Sequence, residues 1–504
     1  MSEIVYESYE KWLNAGAPAD PGFGGGDGLS KETAFVISEP IHLFKLAYDV
    51  ADGNSFTGMF FRLACNMNLN GCELEPIGYC RDPFDNRAFS GCFDGNGHAI
   101  GNFRILSDTR SSKGLFGYLD FAQIMNLIVG EFSISVAGTV GGLAGQAESS
   151  LITGCSAIGT IVLDKRADAY AGGLLGIAGN CMVTACSVAV KMVIVEGTGS
   201  GGLCGSSYNG TKFAECSSTS VVHASSCGDV GGFGGTLRDT SVSQCSASGT
   251  VMGVNCSSVG GFVGRVRQCT ISDCRSAGNV GALNEGSFGF VGGFAGYASA
   301  TVERCVSAGN VTKVGEKGAV GGFAGDTVSN SLLSCYSVGD VRGEGVVAGF
   351  VGLANSTELG SNRIEDCYCT GDVASRFGGS AAGFIGRITR SGGSILISRC
   401  YTFGNVMGSA HGFIAENMYG TISNSFWRRD EGGVNGDKPE ETKSPRHRVP
   451  AITTEQFAER GLFEEVSWAF EGDEAVWSYV GALNPQRPHL GMLPLVQKTS
   501  LEER

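Results

Sequence analysis

A five-residue element, Gly-Gly-apolar-x-Gly, recurs along the chain, and recurrence at a short fixed period constrains a fold more than any single motif. It reads Gly141-Gly142-Leu143-Ala144-Gly145, Gly172-Gly173-Leu174-Leu175-Gly176, Gly260-Gly261-Phe262-Val263-Gly264 and Gly292-Gly293-Phe294-Ala295-Gly296. The Gly before the large apolar residue falls at 142, 173, 202, 232, 261, 293, 322, 349, 383 and 412; nine intervals cover 270 residues, a mean period of 30. The residue after it is Leu143, Leu174 and Leu203, then Phe233, Phe262, Phe294, Phe323, Phe350, Phe384 and Phe413. A second element follows at a nearly fixed distance, as in Thr301-Val302-Glu303-Arg304-Cys305-Val306-Ser307-Ala308-Gly309-Asn310-Val311. Its Cys recurs as Cys155, Cys186, Cys216, Cys245, Cys274, Cys305, Cys335, Cys367 and Cys400, with Ser425 in the tenth unit.

Each unit is too short for a β-α-β crossover and lacks a long run with helical periodicity. It contains short runs rich in Val, Ile, Phe and Thr, separated by Gly, Asn, Asp and Ser. Such a unit cannot bury its own apolar face and must stack on its neighbours. The expected fold is all-β: a parallel β-helix (β-solenoid) of coils about 30 residues long, one body with small helical N-terminal and C-terminal caps. Equivalent positions then stack about 4.8 Å apart, making the Leu/Phe set one internal ladder and the Cys set another. The Gly beside the Phe is expected to turn a corner with φ > 0. Composition agrees: 80 of 504 residues are Gly and only 17% are charged, yet 42% are apolar, enough for a core. No Gly-X-Y period is present, which excludes collagen.

The Cys ladder reads as a column of small buried thiols, with no metal or cofactor site. Disulfides up the ladder are not expected, because Cβ atoms one rung apart exceed the roughly 3.5–4.5 Å that a disulfide needs. Cys65, Cys72, Cys80 and Cys92 are irregularly spaced and also read as isolated buried thiols.

The boundaries are 1–55, N-terminal helical cap and connector; 56–136, irregular first rungs; 137–427, ten repeats; 428–504, loop and C-terminal cap. Val5, Tyr9, Trp12 and Leu13 mark one helix; Leu43, Leu46, Ala47 and Val50 mark another, opened by Pro40 and closed near Gly53. Pro18 to Gly28 reads as a Gly-rich connector and Arg428 to Pro450 as a mobile charged loop. Thr453-Thr454-Glu455-Gln456 has the form of a capping box. Trp468, Phe470, Trp477 and Tyr479 are expected to form a lid over the last coil.

Net charge is −14, which disfavours nucleic acid and anionic membrane surfaces as partners. The first residues show no recognisable signal peptide. Ala169 to Val190 lacks charge, but it matches the neighbouring units and reads as one repeat, not a transmembrane segment. There is no His-Glu-x-x-His, no Gly-Lys dipeptide and no Gly-x-Ser-x-Gly, so zinc peptidase, P-loop and serine hydrolase chemistry lack their motifs. His98 beside Asp94 reads as a turn residue. The acidic candidates Glu303, Asp340, Glu365, Asp366 and Asp372 share no paired register and read as solvated surface charge. The residue after each ladder Cys should face outward. It is Ser156, Ser187, Ser217 and Ser246, then Arg275 and Val306, then Tyr336, Tyr368, Tyr401 and Phe426. Those last four would form an aromatic column, a candidate ligand-binding face.

With its Gly-Gly-Phe-Ala-Gly … Val-Glu-Arg-Cys-Val-Ser-Ala-Gly-Asn-Val units, the chain resembles the GLUG-repeat family of bacterial surface proteins. The resemblance extends to Pro76-Ile77-Gly78, to Phe89-Ser90-Gly91-Cys92-Phe93-Asp94-Gly95-Asn96-Gly97-His98, to Gly114-Leu115-Phe116-Gly117, and to Trp468-Ala469-Phe470, Val476-Trp477 and Pro488-His489-Leu490. It implies a right-handed parallel β-helix, an extracellular or cell-surface location, and the non-catalytic role such repeats have in adhesins and in some immunoglobulin A peptidases. It carries over no catalytic residues. The expectation is a non-enzymatic, adhesin-like binding or scaffold protein presenting an elongated solenoid face to a surface glycan or protein ligand. The alternatives are a carbohydrate-active β-helix enzyme, lyase or hydrolase, and a virion or injection-device attachment protein.

Overall fold

The computed structural model describes residues 22–82, 84–107, 111–164, 168–284, 286, 288–357, 360–376, 379–389, 393–407, 409–417, 419–429, 441–442, 449–470, 477–478 and 488–490. The helix expected around Val5–Leu13, Tyr479 and most of the 428–450 loop lie outside the described residues. The described chain forms two compact units, one running to Ser241 with Cys245–Gly249, the other comprising Val242–Gln244 and the residues from Thr250 onward.

Both units are parallel β-solenoids. One coil of the first unit shows the plan: Val140–Gly141 on one face, Ala144–Glu148 and Leu151–Thr153 on a second, Ser156–Leu163 on a third. Each strand pairs in parallel with its counterpart in the next coil, as in Ala144↔Leu175, Ile152↔Val183 and Ala157↔Val188. Leu143, Leu174, Leu203 and Phe233 are fully buried in the first unit. In the second, Phe262, Phe294, Phe323, Phe350, Phe384 and Phe413 stack face to face with centroids 4.8–5.0 Å apart. That separation is the rung spacing of a parallel sheet. The uncharged stretch 169–190 is one such coil, with strands Tyr170–Gly172, Leu175–Gly179 and Met182–Thr184.

The glycines beside this column do not use positive φ, contrary to the sequence expectation; Gly142, Gly173, Gly261, Gly293 and Gly322 all lack it. They are required by proximity. A Cβ on Gly173 would sit 2.1 Å from the carbonyl oxygen of Gly202, one on Gly293 2.3 Å from that of Gly322, and one on Gly322 2.1 Å from that of Gly349. Positive φ falls instead one residue before the ladder Cys: Ala185 (52°), Glu215 (56°), Asp273 (56°), Arg304 (50°), Ser334 (52°), Asp366 (52°) and Arg399 (50°).

That corner accounts for the cysteines. Eight of the nine thiols donate to the carbonyl two residues back, for example Cys186 Sγ to Thr184 O at 3.2 Å and Cys335 Sγ to Leu333 O at 3.3 Å. The same oxygens accept backbone N–H groups from the preceding coil, Gly154 N at 3.0 Å and Arg304 N at 3.0 Å. The thiol also accepts: Cys216 N donates to Cys245 Sγ at 3.4 Å and Cys335 N to Cys367 Sγ at 3.5 Å. The position needs a small side chain that both donates and accepts, and Ser425 meets the same demand. Its Oγ donates to Ser423 O at 2.8 Å and accepts from Cys400 N at 3.2 Å. The nine ladder cysteines are buried and free. Outside the ladder, Cys72 and Cys92 are buried as expected, whereas Cys65 is exposed and Cys80 only half-buried. Both lie in the irregular first coils, where a repeat column does not enclose them.

Both ends of the strand stack are closed. At the start, Gly24 N donates to Val36 O (2.8 Å) and Val36 N to Gly25 O (2.9 Å), so the Gly-rich connector pairs with the first strand's free edge. Helix α1, Pro40–Ala51, has Pro at its start and buries Leu43, Phe44, Leu46, Ala47 and Val50, as the apolar spacing predicts. At the far end Glu441–Thr442 and Ala451–Ile452 pair with the last coil's strands. The capping box at Thr453 and Gln456 opens α2, Thr454–Phe457, and α3 follows at Arg460–Glu464. Among the described residues no helix is long and apolar enough to cross a membrane.

Phe323→Ala should cost about 3–5 kcal/mol of stability, the usual price of truncating a buried Phe. Gly322→Val should be at least as damaging, purely through the clash with the Gly349 carbonyl; wild-type melting of either variant would refute the inward column. In the native protein a thiol-alkylating reagent should label Cys65 first and Cys80 slowly, because burial pushes buried thiols such as Cys181 and Cys369 up to about 12. Mass spectrometry should find the ladder cysteines modified only after denaturation.

Candidate ligand-binding site

The aromatic column forms as the alternation predicts. Tyr336, Tyr368, Tyr401 and Phe426 are register partners on adjacent coils. Their tyrosine rings stack at 4.7 and 4.9 Å, nearly parallel. It is not an open face, however: Tyr336 is 2% exposed, Tyr368 4%, Tyr401 0% and Phe426 5%. The C-terminal segment lies over it. Phe457, Phe463, Trp468 and Trp477 pack into one apolar cluster with the column and with Val306, Val338 and Phe403. Tyr401 Oη donates to Pro488 O at 2.6 Å, and Trp468 Nε1 to Asn424 O at 2.9 Å. The expected lid therefore covers the side of several coils rather than the end of the last one. This also explains the change along the column: Ser156, Ser187, Ser217 and Ser246 meet solvent, and aromatics begin where the C-terminal segment needs an apolar floor.

The acidic candidates are held in structural contacts. Asp340 Oδ1 accepts from Asp372 N at 3.0 Å, and Asp372 Oδ1 from Asn405 N at 2.9 Å, clipping successive coils together. Glu303 pairs with Arg304, which also grips Asp273 at 2.7 Å. Glu365 and Asp366 are not solvated surface charges as expected; both are buried. Arg399 binds Asp366 at 2.7 Å, Arg363 binds Glu365 at 2.6 Å, and Trp477 Nε1 donates to Asp366 Oδ1 at 3.1 Å. Burial under the C-terminal segment is tolerable because both charges are paired. The hydrogen bond from Arg363 holds the Glu365 carboxyl below its ordinary value.

A different cluster is polar and half-buried at the surface. In the first unit Tyr118 and Asp120 project from strand Phe116–Asp120, and Gln146 and Glu148 lie beside them in register on Ala144–Glu148. The intervening Leu119 and Ala147 point inward and are fully buried. Next in Glu148's column is Gly179, then Tyr208. The missing side chain at Gly179 lets Glu148 reach Tyr208 across a coil; a Cβ there would lie 2.1 Å from Glu148 Oε2 and 2.7 Å from Tyr208 Cε2. Tyr208 Oη donates to Glu148 Oε1, and Gln146 Nε2 donates to the same oxygen at 3.2 Å. Burial raises the pKa values of Asp120, Tyr118 and Tyr208; the neighbouring carboxylates add to the effect on the tyrosines.

Two features border this cluster. The antiparallel pair Tyr79–Cys80 and Asn86–Arg87 flanks strand Phe116–Asp120, where Phe89 N donates to Tyr118 O at 3.0 Å. Phe121, directly after Asp120, is 71% exposed and holds φ 52°. The corresponding corner residues of later coils are Ser149, Asn180 and Asn209, types that suit the left-handed region. A bulky exposed ring is an uncommon occupant of that region. The sequence offered one cue, the Phe among Ser and Asn at a repeated corner. The approach of Glu148 to Tyr208 over Gly179 required register.

The GLUG motif matches this chain at residues 136–162 and 255–281. Halomucin of Haloquadratum walsbyi is 33% identical over 104 residues, which are 20% of this chain and 1% of that protein. Among solved structures, a Bacteroides ovatus protein provisionally described as an immunoglobulin A1 protease aligns with TM-score 0.40 and 19% identity, over 66% of this chain and 87% of its own.

Trp477→Ala should open the aromatic column, with a loss of about 3–5 kcal/mol for a buried Trp and a gain in apolar-dye binding. The Glu365 pKa is lowered in the folded state by the hydrogen bond from Arg363, so its contribution is present above the ordinary Glu range, about 4.3, and is lost as pH falls through the lowered folded-state value. Dye binding should therefore rise on acidification in the wild type; an unchanged dye signal in Trp477→Ala would refute the cover.

Proposed function

We propose that this GLUG-motif solenoid is a non-enzymatic surface-protein module that binds a glycan at the Tyr118–Glu148–Tyr208 cluster. The observation that carries the reading is Glu148, held by Gln146 and Tyr208 on a half-exposed face bordered by aromatic rings. Sugars are recognised by such a set: rings pack against the apolar faces of pyranoses, while carboxylates and amides exchange hydrogen bonds with hydroxyls. A rigid sheet holds the groups in place, so little ordering cost is incurred on binding. The surface location draws support from the GLUG motif and from the similarity to halomucin.

A carbohydrate-active enzyme is the second reading, favoured by one observation. Asp120 and Glu148 are in-register neighbours, and burial raises the Asp120 pKa, as a general acid requires. Glu148→Gln and Tyr208→Phe should each weaken glycan binding about tenfold, the effect of losing one charge-assisted hydrogen bond of roughly 1.4 kcal/mol, with melting unchanged. A glycan array followed by calorimetry measures this. New reducing or unsaturated ends that vanish in Asp120→Asn would favour the enzyme; unaltered binding in both variants would remove the site.

A further inference from the structure

In the second unit, a groove of about 340 Å³ lies on the outer face built from the strands that follow the ladder Cys. It falls within the usual range of small-ligand sites, roughly 300–1,000 Å³. One wall is the outward column Met252, Gly281, Thr312 and Arg342, in register on four coils. Gly281 makes the notch, as the one residue of that column without a side chain. The other wall is a column of Asn279, Asn310 and Asp340.

The chemistry of that second wall is asymmetric. Asn310 N donates to Asn279 Oδ1 at 3.0 Å, and Asp340 N to Asn310 Oδ1 at 2.8 Å. Each asparagine spends its carbonyl oxygen on the next coil, which leaves its NH₂ group as the remaining polar function. Asp340 spends one oxygen on Asp372 N. Arg342 is exposed, and among the described residues no carboxylate lies within ion-pair distance of it. The groove therefore offers two amide NH₂ groups about one rung, ~4.8 Å, apart, and a guanidinium beside them. Donors outnumber available acceptors, so the complementary ligand is rich in acceptor oxygens and carries an anionic group.

We propose that this groove binds a carboxylate-bearing segment of an extended glycan. A uronate-type carboxylate sits on Arg342, and hydroxyl or ring oxygens sit on the amides of Asn279 and Asn310. The chain runs along the stacking direction, because the donors repeat in that direction. Met252, at one end, covers part of the notch with its thioether; it can swing aside, being 41% exposed. This site is independent of the Tyr118–Glu148–Tyr208 reading and shares no residue with it.

The test uses the full chain with two probes: a galacturonate oligomer and the neutral galactose oligomer of the same linkage. Calorimetry should show the acidic probe binding about tenfold tighter than the neutral one, the scale of one charge-assisted contact. Arg342→Gln should abolish that preference. Gly281→Val fills the notch, and its Cβ meets only the mobile end of Met252, Cε at 2.6 Å and Sδ at 2.8 Å, so melting should hold while acidic-probe binding drops tenfold or more. Glu148→Gln should leave acidic-probe binding intact, which separates this site from the other. No binding of the acidic probe, equal affinity for both probes, or acidic-probe binding unchanged in both groove variants would overturn the proposal.

Discussion

The structure depends on backbone lying directly on backbone. Each coil hydrogen-bonds to the next at the rung spacing of a parallel sheet, and at the corners the approach is so close that a β-carbon would collide with a carbonyl oxygen. Gly173 beneath Gly202 and Gly322 beneath Gly349 show the constraint. It dictates the glycine content, since every coil must omit side chains at the same places. It also dictates the cysteines: a left-handed corner followed by a small side chain that donates to a carbonyl and accepts an N–H. Cys and Ser fit there without widening the rung.

Stacking makes like residues neighbours, so a column changes character only where its surroundings change. The outward position after the ladder Cys turns from Ser to Tyr where the C-terminal segment packs. Glu365 and Asp366 are buried with arginine partners where that same segment crosses them. An interruption of a column has the opposite effect and opens space. Gly179 lets Glu148 meet Tyr208, and Gly281 makes a notch in the groove that Arg342 also lines. On a regular solenoid, such breaks are where specific chemistry can be placed, because the fold itself supplies only repeated rows.

The two openings differ in kind. One combines rings with a hydrogen-bonded carboxylate, Glu148; the other offers amide and guanidinium donors. In both, rigid strands fix the spacing of the polar groups. Of the acids that had registered in the sequence as candidates, only Asp340 lies in either opening, as part of the groove wall where it accepts from Asp372 N; Asp372 serves a backbone N–H group, and Glu303, Glu365 and Asp366 serve arginines.

The period, the parallel solenoid, the Phe column and the inward thiols were all legible from residue order, because stacking turns a sequence repeat directly into a spatial row. Helix α1 and the Thr453 capping box were legible for the same local reason, spacing within a few residues. The role of the corner glycines was misread as conformational, since sequence reveals which residues lack a Cβ but not what presses against them. The fate of Tyr336, Tyr368 and Tyr401 was decided only by tertiary structure. Alternation correctly sent them outward, but their burial depends on Trp468 and Trp477, far away along the chain. The Tyr118–Glu148–Tyr208 cluster was hidden for a related reason: its members come from separate coils, and only the register that brings Glu148 across Gly179 makes them neighbours.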